Sequence, residues 1–383
     1  DLHSRVRRQR QTCIRDRDIG GPASFVPKIA NILTENGYEV IVVCLSDEKI
    51  EDEVDYKVVR IIRRQNLIIR WIKTIYTIIR NSFGAKYIFV NGLPMESYLA
   101  NLFLRKKIIR KIVGDWAWER GRNRGIIEDS FDEFQQNSHN LHIEIAKFSR
   151  GWTATKADLV ITPSIHLSKV VESWGVDHEK LKVIYNGTSI SDIDEKINKD
   201  KNVINLITVG RLAPWKNIDI IIEAMHLLRQ AGMEFHLFIV GSGDLHDELN
   251  EKVFNLNLEK YVTLTGQKNS SELEEYYINS HIYIQASGYE GLPHVLLEAM
   301  NYELLVISTP IGGSNEILED GKNGLILDLI DGKKPSSEYL NQLILKSIKN
   351  KELRDEKIIN AKYLLHNKFD ESKNFQEYLK VFQ

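Results

Sequence analysis

Residues 204–244 read INLITVGRLAPWKNIDIIIEAMHLLRQAGMEFHLFIVGSGD and contain one complete strand–helix–strand unit. The apolar run Ile204–Val209 predicts a buried strand, residues Ile218–Ala231 have helical periodicity, and His236–Val240 predicts the next strand. A crossover helix between two strands rich in Val and Ile is typical of a parallel sheet that helices cover on both faces. The stretch therefore predicts an α/β fold.

The same alternation continues along the chain in both directions. Further strands are predicted at Tyr38–Leu45, Tyr56–Ile62, Lys86–Val90, Ile108–Val113, Leu159–Thr162, Lys182–Tyr185, Val262–Thr265, Ile282–Gln285, Leu305–Ser308 and Gly324–Leu327. Further helices are predicted at Ala23–Glu35, Asp244–Asn255, Ser271–Ser280 and His294–Asn301. Two such series predict two doubly wound domains facing a cleft, at residues 1–188 and 203–368, with a polar linker at 189–202. An amphipathic helix at 369–383 is expected to return toward the first domain.

The composition excludes several classes of protein. Of the 383 residues, 43% are hydrophobic and 27% charged, which is typical of globular chains and not of disordered ones. The two cysteines, Cys13 and Cys44, cannot build a disulfide framework and fit a reducing compartment. The sequence has no apolar run of roughly 18 residues, and its Arg-rich start does not predict a signal peptide. We therefore expect a cytoplasmic protein, peripheral on the inner face of the membrane if it binds one.

Basic residues concentrate in the first half. Residues 1–190 carry 30 Lys and Arg against 23 Asp and Glu, although the whole chain has a net charge of −2. The stretch 63–80, RRQNLIIRWIKTIYTIIR, mixes cations with large apolar side chains. That mixture is typical of a helix that binds an anionic membrane, and a core helix whose cations reach solvent is the alternative. Nucleic acid is disfavoured as a partner, because the excess is confined to one domain and no nucleic-acid module is recognised.

Two motifs in the second half carry the chemistry. In YEGLPHVLLEAM, Glu290 lies in the loop before a helix and Glu298 about two turns along it, so that each carboxylate can accept hydrogen bonds from a separate polyol. In VGRLAPWKN, Arg211 and Lys216 follow a strand and precede a helix, where two cations can neutralise a diphosphate. Solvated glutamates and exposed loop cations are the alternatives. Glycine turns at Gly20-Gly21, IVGSGD and IGGSNEIL are weak signals by themselves.

In this order, the motifs resemble those of the retaining GT-B glycosyltransferases of the family 4 type, also called glycosyl transferases group 1. VGRLAPWKN is similar to the family's GR-x-x-x-x-K segment, EGLPHVLLEAM to its E-x7-E segment, and STPIGGSNEILEDGKNGLIL to the segment that follows. The resemblance runs from Gly20 to about Asp328. It implies two Rossmann-like domains, a nucleoside-diphosphate sugar with either UDP or GDP as donor, a hydroxyl acceptor, and no metal ion or other cofactor.

The resemblance also implies roles for individual residues. Arg211 and Lys216 would bind the diphosphate and stabilise the leaving group, and Glu290 would contact the transferred sugar. The other donor-binding residues would be Glu298 at the ribose, Gly291, Leu292 and Pro293 beside the sugar, Gly20 and Gly21 over the phosphates, and Gly241, Gly243 and Gly266 with Gln267 and Lys268 near the base.

The chain departs from the family pattern in three places. Many relatives carry a His where this chain has Gly114-Asp115, so we expect Asp115 to take a sugar-contacting or acceptor-side role. Trp116 and Trp118 are expected to frame an acceptor, with structural packing as the alternative. Residues 1–19 carry six arginines without a strand pattern, so we expect an altered N-terminus, and the sequence leaves open whether these residues form the first strand. A DxD-like triplet at 192–194 lies in the linker and is interpreted as solvated charge.

The expected function is transfer of a sugar to a hydroxyl acceptor with retained anomeric configuration, in cell-surface polysaccharide or glycolipid synthesis. A lipid-linked acceptor would fit the basic N-terminal domain. Two alternatives stay open. A sugar-nucleotide epimerase of similar architecture would need His or extra carboxylates in the cleft, and an inactive sugar-nucleotide-binding or scaffold protein would be favoured by the unusual residues 1–19.

Overall fold

The computed structural model describes residues 10–15, 21–47, 53–190, 203–330 and 334–383. Gly20, the triplet 192–194 and most of the expected linker lie outside these ranges. Within them, the chain forms two parallel sheets and one short antiparallel pair of strands. This confirms the predicted α/β fold of two doubly wound domains.

The N-terminal sheet consists of seven described strands that all pair in parallel. They are β1 (Arg10–Arg15), β2 (Glu39–Ser46), β3 (Lys57–Ile62), β4 (Ala85–Val90), β5 (Lys107–Lys111), β6 (Leu159–Thr162) and β7 (Leu181–Val183). Their order in the sheet is β3-β2-β1-β4-β5-β6-β7. The helices of this half are α1 (Gly21–Glu35), α2 (Leu67–Ser82), α3 (Pro94–Leu104), α4 (Trp116–Asn123), α5 (Phe131–Gln136), α6 (Leu141–Thr155) and α7 (Ile165–Ser173).

The strand β1 shows that part of the Arg-rich start forms the first strand, which the sequence left open. It lies at the centre of the sheet, where Cys13 is the register partner of Val42 on β2 and of Phe89 on β4. A backbone between two parallel neighbours gains hydrogen bonds on both sides whatever its side chains are. Position in the sheet therefore outweighs the missing apolar pattern in the sequence.

The C-terminal sheet has six described strands, also parallel. They are β8 (Ile204–Val209), β9 (Phe235–Val240), β10 (Val262–Gly266), β11 (Ile282–Gln285), β12 (Leu305–Ser308) and β13 (Leu325–Ile326), followed by the antiparallel pair β14 (Leu329–Ile330) and β15 (Lys334–Pro335). The sheet order is β10-β9-β8-β11-β12-β13. The helices are α8 (Ile218–Gln230), α9 (His246–Asn255), α10 (Ser270–Ile278), α11 (His294–Asn301), α12 (Ser314–Leu318), α13 (Ser337–Lys349), α14 (Lys351–Lys368) and α15 (Glu371–Phe382).

The last helix, α15, packs on the N-terminal domain. Its apolar face, with Phe375 and Phe382, is buried against α1 and the N-terminal sheet. The ring centres of Phe375 and Phe25 are 5.7 Å apart, and those of Phe382 and Phe89 are 5.8 Å apart. The end of the chain therefore contributes to the same core as α1.

Candidate active site

The loops after β8 and β11 meet through an ion pair. Lys216 Nζ lies 2.5 Å from Glu290 Oε1, and Ser287 Oγ donates to the same oxygen at 2.7 Å. The backbone also joins the loops, because the Gly288 N–H donates to the Trp215 carbonyl at 2.6 Å. Two motifs that are distant in the sequence therefore place opposite charges at one point.

Glycines in the neighbouring loop allow close contact between backbones. A Cβ atom at Gly241 would lie 1.8 Å from the carbonyl oxygen of Gly210, and one at Gly243 would lie 2.3 Å from that of Leu212. The Gly241 N–H donates to the Gly266 carbonyl at 2.9 Å. Larger residues would push the loop after β9 away from the loop that carries Arg211. Contact between these glycines and a base stays a prediction.

Arg211 reaches across the cleft to the N-terminal domain. Its Nη2 lies 3.4 Å from Oε2 of Glu119, a residue in the first turn of α4. The guanidinium carbon lies 5.5 Å from the centre of the Trp215 ring, and the Arg211 side chain is 45% exposed. Sequence reasoning missed Glu119, although a carboxylate in the first turn after β5 faces the edge of the sheet where ligands bind.

The beginning of α11 touches the N-terminal domain. A Cβ atom at Gly291 would lie 2.3 Å from the carbonyl oxygen of Val113, which follows β5. Leu292 is buried. Pro293 is the N-cap residue of α11. Contact of these residues with a sugar stays a prediction, as does a role at the phosphates for Gly21, the first residue of α1.

Glu298 lies on α11, and Tyr277 Oη donates a hydrogen bond to its Oε2 at 3.1 Å. Burial raises the pKa of the Glu298 carboxyl, and the hydrogen bond from Tyr277 opposes this rise. Burial also raises the pKa of Tyr277 well above its ordinary value, and the nearby Glu298 raises it further. The phenol therefore keeps its proton and orients the carboxylate.

A cavity of about 620 Å³ lies beside Glu298, between the two domains. Its lining includes Lys28 and Asn186 from the N-terminal domain, and Ser270, His294, Glu298 and Glu371 from later in the chain. Arg211, Lys216 and Glu290 are outside this lining. The motif residues therefore lie in two places: Arg211, Lys216 and Glu290 outside the cavity, and Glu298 on its wall. Tyr283 lies near both glutamates. Burial raises the pKa of Tyr283 well above its ordinary value, and the charges of Glu290 and Glu298 raise it further.

His294 is a second group on α11 whose pKa is shifted. Burial is the main cause, and the positive charges of Lys111 and Lys28 add to it, so that its pKa falls from 6.5 to about 3. The imidazole is therefore neutral at neutral pH. A neutral ring on the wall of the cavity offers one donor and one acceptor to a ligand.

Asp115 does not face the cleft, which corrects the expectation of direct contact with a sugar or an acceptor. It is fully buried, forms an ion pair with Arg150, and accepts a hydrogen bond from Gln135 Nε2 at 3.1 Å. The same carboxylate caps α4 by accepting from the N–H groups of Ala117 and Trp118. A buried carboxylate with these partners positions α4 within its own domain.

An aromatic cluster of Trp118 and Phe131 with Trp215 and Tyr289 packs the two domains together. The ring centres of Trp118 lie 5.3 Å from those of both Trp215 and Tyr289, and Phe131 stacks on Tyr289 at 3.6 Å. Trp118 is only 2% exposed, which favours the packing alternative for this indole. Trp116 is half-buried, with the Arg120 guanidinium 5.0 Å from its ring centre, and its acceptor-side role stays a prediction.

Comparison with known families agrees with this arrangement. The family described as Glycosyltransferase Family 4 matches residues 19–192, and the family described as Glycosyl transferases group 1 matches residues 189–363. The chain belongs to the GT-B glycosyltransferases. The two matches divide this glycosyltransferase close to the point at which the structure passes from the first sheet to the second.

Individual relatives match the glycosyltransferase over part of its length. An uncharacterized glycosyltransferase of Methanocaldococcus jannaschii is 32% identical over 237 residues, which are 60% of this chain and 59% of the relative. The N-acetylgalactosamine-N,N'-diacetylbacillosaminyl-diphospho-undecaprenol 4-alpha-N-acetylgalactosaminyltransferase of Campylobacter jejuni is 29% identical over 50% of this chain and 52% of the relative. The chain thus spans about half the length of the curated relatives it matches.

A solved structure shows the same fold over nearly the whole chain. Anabaena HepE, crystallised in complex with UDP and glucose, superposes with a TM-score of 0.79 at 18% identity, over 98% of this chain and 99% of that one. Among the described helices of the glycosyltransferase, none is both long and apolar enough to span a bilayer. The described His, Cys, Asp and Glu side chains form no group of three that could hold a metal ion.

Proposed function

We propose that this glycosyltransferase moves a sugar from a nucleoside diphosphate to a hydroxyl acceptor, with retained anomeric configuration and without a metal ion. The observation that carries the proposal is the contact between Lys216 and Glu290. It joins the cation expected at the leaving diphosphate to the carboxylate expected at the sugar. When a nucleoside diphosphate leaves, negative charge develops on it, and a positive charge nearby stabilises that charge. The cation must therefore lie beside the sugar that is transferred.

Arg211 supplies the second cation of the proposed reaction. In the structure it pairs with Glu119 and is nearly half exposed, so the pair is weak and can be exchanged. A diphosphate carries more negative charge than one carboxylate and offers two oxygens to the guanidinium. Arg211 then moves to the donor, and Glu119 becomes available to accept a hydrogen bond from a hydroxyl group of the acceptor other than the one that attacks. Attack occurs on the face that the diphosphate leaves, and a phosphate oxygen takes the hydroxyl proton.

The cavity beside Glu298 is the proposed site of the nucleoside. Its volume of about 620 Å³ is within the range of ordinary ligand pockets. Glu298 is oriented by Tyr277 and accepts hydrogen bonds from the ribose hydroxyls, while the neutral His294 adds a donor and an acceptor. The solved structure of HepE with UDP and glucose supports UDP as the first nucleotide to test.

We further propose that the acceptor is lipid-linked and that α2 docks on an anionic membrane, at the cytoplasmic face of the bilayer. Ile68 and Ile72 are 69% and 63% exposed on this helix, which also carries Lys73. Exposed apolar residues continue on α6, where Leu141 is 73% exposed. In a doubly wound domain, the helix that follows a strand begins at the carboxyl end of that strand, which is the edge of the sheet where ligands bind. The first turns of α2 and α6 are therefore expected on the side of the sheet that faces the cleft. The relative from Campylobacter jejuni, whose name includes diphospho-undecaprenol, supports a polyprenol-linked acceptor.

A donor screen tests the proposal. Nucleotide release is measured with UDP-, GDP- and ADP-sugars, with and without a polyprenyl-diphosphate-linked saccharide, and the anomeric configuration of the product is read by NMR. We expect release from one nucleotide class that rises when the acceptor is added, with a product that keeps the donor's configuration. Free sugar and nucleotide formed at equal rates without acceptor would favour an epimerase. Calorimetric binding of UDP or GDP without any turnover would favour the inactive binding protein.

A further inference from the structure

Glu316, in the segment IGGSNEIL, makes an unusual contact between the domains. It lies on α12 of the C-terminal domain, yet its carboxylate accepts hydrogen bonds from the N-terminal domain. The N–H of Ile165 donates to Oε2 at 3.0 Å, and the N–H of His166 donates to Oε1 at 2.8 Å. These are the first two residues of α7.

The N-terminus of α7 is thus capped by two domains at once. The first N–H groups of a helix have no partner within it, and negative charge is favourable at this end. Ser164 Oγ accepts from the N–H of Leu167, while Glu316 accepts from the two preceding N–H groups. Moving the domains apart at this point would leave these groups to water.

Glu316 also contacts both segments through which the chain passes between the domains. Tyr185, just before the first passage, donates from its Oη to Glu316 Oε2 at 2.9 Å. Lys368, the last residue of α14 before the second passage, donates to the Glu316 carbonyl at 3.0 Å. The Lys368 ammonium lies 4.9 Å from the centre of the Tyr185 ring. One residue therefore joins α7 to both segments through which the chain passes between the domains.

The turn before α12 supports the backbone of Glu290. The Gly313 N–H donates to the Glu290 carbonyl at 2.9 Å. Gly312 has a φ of +51°, and a Cβ atom there would lie 2.1 Å from the same oxygen. Displacement of α12 would thus be transmitted over three residues, from Glu316 to the loop that holds Glu290.

We propose that Glu316 is an interdomain latch, a positioning residue that sets the angle between the domains and thereby seats Glu290. The inference deepens the proposed transfer reaction and rests on it. Glu316 needs no contact with donor or acceptor for this role. It acts through the N-terminus of α7 on one side and through the Gly312-Gly313 turn on the other.

Glu316→Gln tests the latch, because glutamine has the same size but loses the charge and turns an NH₂ group toward an N–H donor. We expect kcat of the parent reaction to fall about 10- to 100-fold, while KM for the donor changes less than about threefold. The radius of gyration from small-angle X-ray scattering should rise. Glu316→Asp keeps the charge and should recover part of kcat. Glu319→Gln changes an exposed carboxylate immediately after this segment and should match the parent.

The readouts separate the latch from a merely structural role. A Glu316→Gln variant with parental kcat and parental scattering overturns the inference. Lower kcat that is explained by a lower unfolding temperature, with an unchanged radius of gyration, overturns it as well. If the parent releases nucleotide from no donor, the proposed function fails. The radii of gyration of the parent and of Glu316→Gln then test by themselves whether Glu316 sets the angle between the domains, and an unchanged radius overturns the inference.

Discussion

The Lys216–Glu290 ion pair is where single substitutions test the donor site most directly. Lys216→Ala removes positive charge beside the leaving diphosphate, and Glu290→Ala removes the carboxylate beside the sugar. Each should lower kcat by about 10²- to 10³-fold, the cost of losing one preorganised electrostatic group. Nucleotide release at saturating donor is the measurement. Lys260→Ala, at an exposed lysine of the same domain, is the control, and a Lys216 or Glu290 variant within twofold of the parent would contradict the assigned roles.

His294 makes stability depend on pH in a direction that follows from its surroundings. Its pKa is about 3 in the folded chain, because burial and the nearby Lys111 and Lys28 disfavour the imidazolium, and returns to about 6.5 on unfolding. Between these values the unfolded state binds a proton that the folded state does not. The contribution to stability is therefore complete above pH 6.5 and is lost as the pH falls, by at most about 1.4 kcal/mol per pH unit.

His294→Asn should flatten this dependence. Urea unfolding at pH 7 and pH 5.5 gives the free energy of unfolding of parent and variant, and the parent should lose more of it on acidification. His178→Asn is the control, because its side chain is 84% exposed, and it should keep the parental slope. Equal slopes in the His294 variant and the parent would show that the His294 imidazole does not drive the effect.

The helix α2 carries the prediction about membranes. Arg64, just before the helix, and Arg70 and Lys73 on it surround apolar residues that are largely exposed. Each cation near an anionic surface contributes about 1 kcal/mol, so replacing all three with Gln should weaken partition to phosphatidylserine vesicles by about 3 kcal/mol, roughly a hundredfold. Co-sedimentation at low salt measures this.

Two further variants distinguish the effect of cations on α2 from that of cations elsewhere and from that of its apolar side chains. Lys346, Lys349 and Lys351 are exposed cations on α13 and α14 of the other domain, and their replacement with Gln should leave vesicle binding unchanged. Ile72→Ser on α2 should weaken binding without a change of charge, because its side chain is exposed. Unchanged sedimentation of the Gln variant at Arg64, Arg70 and Lys73 would count against docking through this surface.

Elements with a strong local pattern could be predicted from the sequence. The structure has β11 and α11 with the predicted bounds, Ile282–Gln285 and His294–Asn301, because each has a continuous apolar or periodic pattern between clear loop residues. The central strand β1 could not be predicted in this way. Its Arg-rich sequence gives no local signal, and it forms because β2 and β4 supply hydrogen bonds on both sides.

The part of the candidate site that lies within one domain could be predicted from the sequence, and the part that depends on contacts between the domains could not. The meeting of Lys216 with Glu290 follows from motifs that end neighbouring strands, β8 and β11. The partners of the Glu316 carboxylate and the ion-pair partner of Arg211 lie in the other domain, and no local pattern states how two domains face each other. The buried position of Asp115 could not be predicted for a related reason, since its partner Arg150 is 35 residues away on α6.

The chain crosses between the domains twice, and its last helix returns to the first core. Phe382 is fully buried against the N-terminal domain, so Phe382→Ala should lower the free energy of unfolding of that domain by about 3–5 kcal/mol. Tyr363→Ala on α14 removes a ring that is 74% exposed and should cost less than about 0.5 kcal/mol. Urea unfolding followed by hydrogen exchange of β2 and β4 measures the effect. Loss of protection confined to the C-terminal sheet would show that α15 does not support the N-terminal core.

The aromatic cluster makes the order of the active-site loops depend on contact between the domains. Trp215 precedes Lys216 and Tyr289 precedes Glu290, and both rings pack within the core of the N-terminal domain. Opening the cleft must therefore withdraw these rings from that core and release both loops together. Trp118→Ala removes the indole that contacts both, so amide exchange at residues 210–217 and 286–291 should accelerate while β8 and β11 stay protected.

Trp152→Ala is the matched control for this last experiment, because it removes an indole of the same domain that packs on Tyr98 instead. It should leave exchange in both loops at the parental rate. If Trp118→Ala also leaves the loops unchanged, their order comes from the C-terminal domain alone. If the two loops accelerate together, Lys216 and Glu290 reach their final positions only when the domains meet, and exclusion of water and assembly of the site become one step.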